Sequence, residues 1–178
     1  MANIEVELRS FIDKVKFEEL KDFFTKKGNL LKEDKQLTYY FDSPEDLRIQ
    51  LNDKGSKIWL KKGKIHDEAR EELEIECAKD DFGNLKQLFE TLGYLVEVVW
   101  KRDRLVYDWS DVKVSLDFTE GYGYILELEK LTTEENKKEA LTMLRSKLKE
   151  LNITPTPRSV FEERYDYYKS NWQSLIDF

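Results

Sequence analysis

The chain has 178 residues, enough for one domain with a sizeable core, and its 37 acidic and 30 basic side chains leave a formal net charge of −7. That balance disfavours a general nucleic-acid or anionic-membrane surface, so any anion site must be a local concentration of base. A single cysteine, Cys77, excludes an intrachain disulfide and a thiolate metal cluster; no apolar run approaches a membrane span, and Met1–Ser10 lacks a signal-peptide pattern.

In chain order, the first predicted strand is Asn3–Ile12, where Glu5, Glu7 and Arg9 alternate with Ile4, Val6 and Leu8. Lys16–Lys27 places Phe17, Leu20, Phe23 and Phe24 at helical spacing, and Gly28 closes it. A long strand, Asn29–Asp42, ends in Tyr39–Tyr40–Phe41–Asp42 before a turn at Ser43–Pro44. Leu47, Ile49 and Leu51 then share one strand face, with Arg48 and Gln50 on the other. The hairpin turn Asp53–Lys54–Gly55 leads into Lys57–Lys62, with Trp59 and Lys61 on a shared face. Gly63–Glu68 reads as a charged loop whose His66 faces solvent.

Ala69–Lys79 carries Arg70, Glu72, Glu74 and Glu76 on one side and Leu73, Ile75 and Cys77 on the other, which predicts a buried thiol. Asp81–Leu92 is an amphipathic helix with Leu85, Leu88, Phe89 and Leu92 inward, stopped at Gly93. In the long strand Tyr94–Trp109, Trp100, Arg102 and Arg104 share a face. Val112–Leu131 reads as two strands around a turn bearing Gly121 and Gly123. Val114, Leu116 and Phe118 alternate with Lys113, Ser115 and Asp117; Tyr124, Leu126 and Leu128 alternate with Ile125, Glu127 and Glu129. Carboxylates on neighbouring strands of one face stand about 5–7 Å apart. They repel, so something cationic should sit between Asp117, Glu127 and Glu129. A helix over Thr133–Leu151 follows, capped by Thr132 or Thr133, with Ala140, Leu141, Leu144, Leu148 and Leu151 inward. Thr154–Pro157 interrupts the chain before a last helix, Ser159–Trp172.

The pattern gives about eight two-faced strands, mostly consecutive. Such strands close into a barrel, because closure removes both open edges. The helices need apolar partners and find them on the strands' apolar faces from outside, so the charged faces point inward. The expected class is α+β: an eight-stranded antiparallel β-barrel, a tunnel, with helices packed outside. Its lining would hold the acids Glu5, Glu7, Glu72, Glu74, Asp117, Glu127 and Glu129. The bases Arg9, Arg48, Lys61, Arg70, Arg102, Arg104 and Lys113 would join them. Burying these dry costs several kcal/mol each, whereas a wet channel with a charged ligand resolves that cost. Arginine suits phosphate through bidentate hydrogen bonds, and carboxylates suit Mg²⁺ or Mn²⁺. Both together imply a metal–polyphosphate complex; mutually compensating ion pairs with no ligand are the competing reading.

These residues resemble the CYTH family, also called triphosphate tunnel metalloenzymes. The resemblance rests on Glu5-x-Glu7-x-Arg9, Tyr40-Phe41-Asp42, Leu47-Arg48, the Lys61 strand, and Arg70-x-Glu72-x-Glu74. It continues through Arg102-x-Arg104 and Leu116-Asp117…Gly121-x-Gly123…Glu127-x-Glu129. It implies a small-molecule triphosphate as ligand and Mg²⁺ or Mn²⁺ as cofactor. Length, charge and the cysteine count add the expectations of a single domain over residues 1–178, a cytoplasmic location, and no nucleic-acid duplex or membrane as partner; the chain is expected to be a monomer or homodimer. By the resemblance, Glu5, Glu7, Glu127 and Glu129 hold metal, with Asp117 and Glu74 as additions. Arg48, Lys61, Arg70, Arg102 and Arg104 grip phosphate, and Arg158, before the last helix, either closes one tunnel end or is a plain surface arginine near a helix start. Glu5, Glu7 and Arg9 are the catalytic candidates. The chain departs from the family at Arg9, where lysine is usual, at Gln50, where a second arginine is common, and at Thr38, where an aspartate is common. The implied activity is metal-dependent hydrolysis of inorganic tripolyphosphate, thiamine triphosphate or a nucleoside triphosphate. The alternatives are a class IV adenylyl cyclase and a non-catalytic polyphosphate- or nucleotide-binding module.

Overall fold

Alternation of charged and apolar residues gives each strand two unlike faces, and strand pairing gathers like faces together. The computed structural model describes residues 4–62 and 72–177. Its elements are β1 (Ile4–Ile12), α1 (Lys14–Lys27), β2 (Asn29–Phe41), β3 (Asp46–Leu51), β4 (Ser56–Lys61) and β5 (Glu72–Cys77). They continue with α2 (Phe82–Thr91), β6 (Val96–Asp108), β7 (Lys113–Thr119), β8 (Gly123–Thr132), α3 (Lys137–Glu150) and α4 (Arg158–Leu175). The strands form one eight-stranded sheet in the order β1-β8-β7-β6-β2-β3-β4-β5. The pairs β1/β8, β7/β8, β2/β3, β3/β4 and β4/β5 are antiparallel. The chain is an α+β protein built on an antiparallel sheet, as the pattern predicts. It falls into two compact units: Met1–Glu33 with Asp103–Tyr167, and Asp34–Arg102 with Tyr168–Phe178.

In the first unit the apolar rows of β1, β7 and β8 supply Val6, Val114, Leu116, Leu126 and Leu128. They pack against Phe17, Leu20 and Phe24 of α1 and Ala140, Leu144 and Leu148 of α3. The Asp13 carboxylate starts α1 by accepting from the Lys16 amide at 2.7 Å, satisfying one of its orphan donors. Gly28 ends it for lack of room: a Cβ there would lie 3.0 Å from the Phe24 carbonyl oxygen and 3.2 Å from that of Asp108. Gly121 and Gly123 turn β7 into β8 with φ of 73° and 119°, the left-handed region that favours glycine. After α3 the segment Thr154–Thr156 lies along β1. Ser10 Oγ donates to the Thr154 carbonyl at 2.7 Å, the Thr156 amide to the Arg9 carbonyl at 3.1 Å, and the Phe11 amide to Thr156 Oγ1 at 3.0 Å.

The second unit has a smaller core of Phe41, Leu47, Ile49, Phe82 and Leu85, with α2 packed on β3. The end of α4 fixes itself to β6. Tyr168 is fully buried and donates its hydroxyl to the Val99 carbonyl at 2.7 Å. Trp172 Nε1 donates to the Glu97 carbonyl at 2.9 Å.

Several expectations change. Leu88 and Leu92 are exposed rather than inward. Phe82, outside the predicted apolar stripe, joins Leu85 in the core, and that rotates the buried side of α2 away from them. Leu73 and Ile75 are also exposed, and Cys77 is only half-buried. They belong to β5, the last strand in the sheet order, and α2 seats on β3 instead. The helix predicted from Thr133 begins as a short 3₁₀ turn, Glu134–Asn136, and the Thr133 side chain makes no cap bond. α1, α2 and α3 meet apolar rows, whereas α4 meets ring against ring: Phe161 packs on Phe11, which shares a face with Glu5, Glu7 and Arg9, and Tyr168 packs on Trp100.

Leu144 is completely buried between α3 and the sheet. Leu144→Ala is expected to lower unfolding stability by about 2–5 kcal/mol, read as a fall in the urea midpoint at unchanged slope.

Candidate functional site

The register of the first unit decides which charges meet. Lys113 pairs with Glu129 and Ser115 with Glu127 across β7/β8; Glu7 pairs with Glu129 and Arg9 with Glu127 across β1/β8. Glu5, Glu7, Arg9, Lys113, Asp117, Glu127 and Glu129 therefore share one face. Arg104 of β6 reaches it as a fork: Nε and Nη2 donate to the two oxygens of Asp117 at 2.7 and 2.6 Å, and Nη2 lies 4.0 Å from Glu127. Lys113 Nζ donates to both oxygens of Glu129, at 3.0 and 2.8 Å. Arg9 Nε lies 3.4 Å from Glu7.

The cations do not satisfy every acid. Glu127 is pushed up to about 7, mainly by burial, against the pull of Arg104 and with Glu7 and Asp117 adding repulsion. The Glu5 carboxyl is also raised, first by partial burial and then by Glu129. Burial works against the Arg104 charge, but Asp117, Glu127 and Glu129 outweigh it and raise its pKa. This face holds more negative charge than its own cations neutralise.

The charged row of the second unit is more basic and more aromatic. Tyr40 pairs with Arg48 across β2/β3, and Arg48 with Trp59 across β3/β4. Both oxygens of Asp46 accept from Arg48, the bond to Nε being 2.6 Å. The guanidinium lies 4.4 Å from the Tyr40 ring centre and 5.4 Å from that of Trp59. Lys57 and Lys61 place their ammonium groups 3.9 and 4.4 Å from the Trp59 ring centre, attractive cation–π distances. Lys57 also donates to Glu74 at 2.8 Å. Arg102 donates twice to Gln36 Oε1, at 2.8 and 2.5 Å, while Gln36 Nε2 donates to Asp34 at 2.8 Å. At the two departures from the family pattern, Gln50 Nε2 donates to Thr38 Oγ1 at 3.0 Å. A buried neutral pair stands where two charges are common.

Of the predicted site residues, the first unit thus gathers Glu5, Glu7, Arg9, Arg104, Asp117, Glu127 and Glu129 on one face. Arg48, Lys61, Arg102 and Glu74 belong to the second unit, and Glu74 is committed to Lys57. Arg158 is exposed at the start of α4, its Nε 2.8 Å from Glu162. Arg70 and His66 lie outside the described residues. Among the described residues no three carboxylates stand close enough to hold an ion as they are; Asp117 and Glu129 are turned onto Arg104 and Lys113. The donor chemistry nevertheless fits a hard cation: four glutamates offer only oxygen, and two of them carry raised pKa values, through burial first and neighbouring carboxylates second. The sequence reading missed Asp34, Gln36, Asp46 and Lys57, whose roles depend on strand register. It also missed Phe161, whose spacing from Tyr168 and Trp172 makes an aromatic stripe on α4.

The fold and these rows define an antiparallel-sheet protein whose strands carry charged residues on one face and apolar residues on the other. A family model of the CYTH domain matches residues 3–159, and the chain belongs to that family. It is 32% identical over 114 residues to a Methanocaldococcus jannaschii protein named "Putative adenylate cyclase", a match over 64% of this chain and 65% of the relative. The chain thus spans about two thirds of that relative's length. Among solved structures, the PH1819 protein of Pyrococcus horikoshii is similar with a TM-score of 0.66 at 26% identity, covering 86% of this chain and 93% of that one. A Hippeastrum protein, HpAC1, an adenylyl cyclase by name with a dominant triphosphatase activity, shares the fold with a TM-score of 0.64 at 22% identity, covering 91% and 96% of the two chains. Among the described residues no helix is long and apolar enough to cross a membrane.

Glu127 gives a pH prediction. Its folded pKa of about 7 exceeds the ordinary value of 4.5, so the folded state binds the proton more tightly than the unfolded chain. Its contribution is most favourable below about 4.5, falls as pH rises towards 7, and is flat above. Glu127→Gln removes that loss. In the presence of a chelator, the variant is expected to gain melting temperature relative to the wild type at pH 8 but not at pH 4.5.

Proposed function

We propose that this chain is a metal-dependent hydrolase of a triphosphate-containing small molecule. The carrying observation is the crowded face of the first unit, where Glu5, Glu7, Glu127 and Glu129 exceed their cations and Arg104 stands among them. Glu5, Glu7, Glu127 and Glu129 are the residues that would hold Mg²⁺ or Mn²⁺. When bound, the ion neutralises charge on the phosphate oxygens. Arg104 and Lys113 offer N–H groups to the phosphates from the same face. Arg48, Lys61 and Arg102 make the basic row of the second unit, which by itself has the chemistry to take up phosphate. Arginine stays protonated throughout, so Arg9 and Arg104 stabilise developing negative charge rather than move protons. A carboxylate of this face that does not hold the ion would orient the attacking water and accept its proton. The family membership and the triphosphatase activity of HpAC1 support this reading.

A cyclase is the second reading. The name of the Methanocaldococcus relative favours it, and so do the rings of Tyr40, Trp59 and Trp100 on the charged row of the second unit. A binding module without turnover is the third, favoured by Arg48 and Arg104 each already holding an aspartate.

Incubation with tripolyphosphate, thiamine triphosphate or ATP, each with Mg²⁺ or Mn²⁺, separates the three. Phosphate release is expected; cyclic AMP with pyrophosphate would mark the cyclase, and calorimetric binding without product the module. Glu129→Gln is expected to lower metal-dependent turnover by at least about a hundredfold with the urea midpoint retained, and full activity in it would remove the metal assignment. Arg48→Ala is expected to weaken tripolyphosphate binding about tenfold or more, the scale of a lost charged hydrogen bond.

A further inference from the structure

α4 touches the charged face of the first unit beside Arg9 and Phe11. The segment Thr154–Thr156, bonded to β1, delivers the start of this helix beside Arg9 and Phe11. Phe161, 7% exposed, stacks on Phe11 with ring centres 4.4 Å apart and 26° between planes. Tyr122 secures the helix there, its hydroxyl donating to the Phe161 carbonyl at 3.3 Å. The Arg9 guanidinium lies 5.0 Å from the Phe161 ring centre, and that of Arg164 lies 4.1 Å from the Phe11 ring centre. Arg9, Phe161, Phe11 and Arg164 form one series of contacts.

The chemistry of Arg9 gives this series a use. A guanidinium is flat: its face stacks on a ring while its N–H groups point outward in its plane. An ammonium is a point charge on a flexible stem and cannot divide its contacts in that way. Arg9 is half-exposed with Nε beside Glu7, and its backbone pairs with Glu127, so its outward edge lies among the acids of the proposed site.

We infer that Phe161 is a positioning residue: it holds the Arg9 guanidinium so that its N–H edge meets a phosphate oxygen of the ligand. The inference rests on the triphosphate reading above. It gives arginine at position 9 a use that a lysine of equal charge would not have. It also links two equilibria, since whatever seats α4 strengthens anion binding and bound anion protects α4.

The test is a double-mutant cycle with R9K, F161L and R9K/F161L, with F161Y as the variant that keeps the ring. Affinity for inorganic tripolyphosphate with Mg²⁺ is measured by calorimetry, and folding by the urea midpoint. R9K and F161L are each expected to weaken binding about five- to tenfold, the scale of a cation–π contact. The double variant should be no weaker than either single one, and F161Y close to wild type. If F161L does not fold, hydrogen exchange decides: tripolyphosphate should slow exchange across α4 in the wild type and not in R9K. Wild-type affinity in F161L, losses that multiply in the double variant, or equal protection of α4 in R9K and wild type would overturn the inference alone. A wild-type protein that takes up no tripolyphosphate would overturn it together with the triphosphate reading.

Discussion

Carboxylates crowded on one sheet face keep their charge only if cations stand among them. Much of this chain is arranged around that constraint. Arg104 answers it for Asp117 with two hydrogen bonds in one plane, and Lys113 answers it for Glu129. Glu127 receives only a distant share of Arg104, so part of its cost appears as retained proton affinity. The apolar rows behind this face need no such balance and pack directly under α1 and α3. The strands are thus bound to two neighbours of opposite character, a hydrocarbon core on one side and a charge network on the other.

The second unit handles its charges differently. Asp46 and Glu74 hold Arg48 and Lys57, and the rings of Tyr40 and Trp59 take further contact with the same cations. A ring attracts a cation without offering it a second full negative charge, so ammonium and guanidinium groups can gather around Trp59. The neutral Thr38–Gln50 pair removes one acid and one base together. Because both partners changed in kind, neither is left buried without a hydrogen bond. These features leave this row less positively charged than a set of bare arginines would be.

Sequence periodicity revealed a great deal here because the alternating rows are long and chemically extreme. The acids of β1 and β8 and the bases of β6 could be assigned to one type of face from parity alone. Parity does not choose partners. That Arg104 takes Asp117, or that Arg102 takes Gln36, depends on registers between segments far apart in the chain. Helix faces were harder still. The apolar stripe of α2 was wide enough to mislead about Leu88 and Leu92, since Phe82 competed for the same core. For α4 the sequence shows an aromatic stripe but not what it meets: Phe161 finds Phe11, and Tyr168 finds Trp100.

The splint formed by Thr154–Thr156 has a consequence beyond placing α4. β1 stands at the end of the sheet order, where exposed backbone groups invite a foreign strand to add on. The splint consumes the Arg9 carbonyl and the Phe11 amide, two of the groups an intruder would use. A few residues of irregular chain thereby act as a guard against aggregation, without themselves presenting a new extended edge.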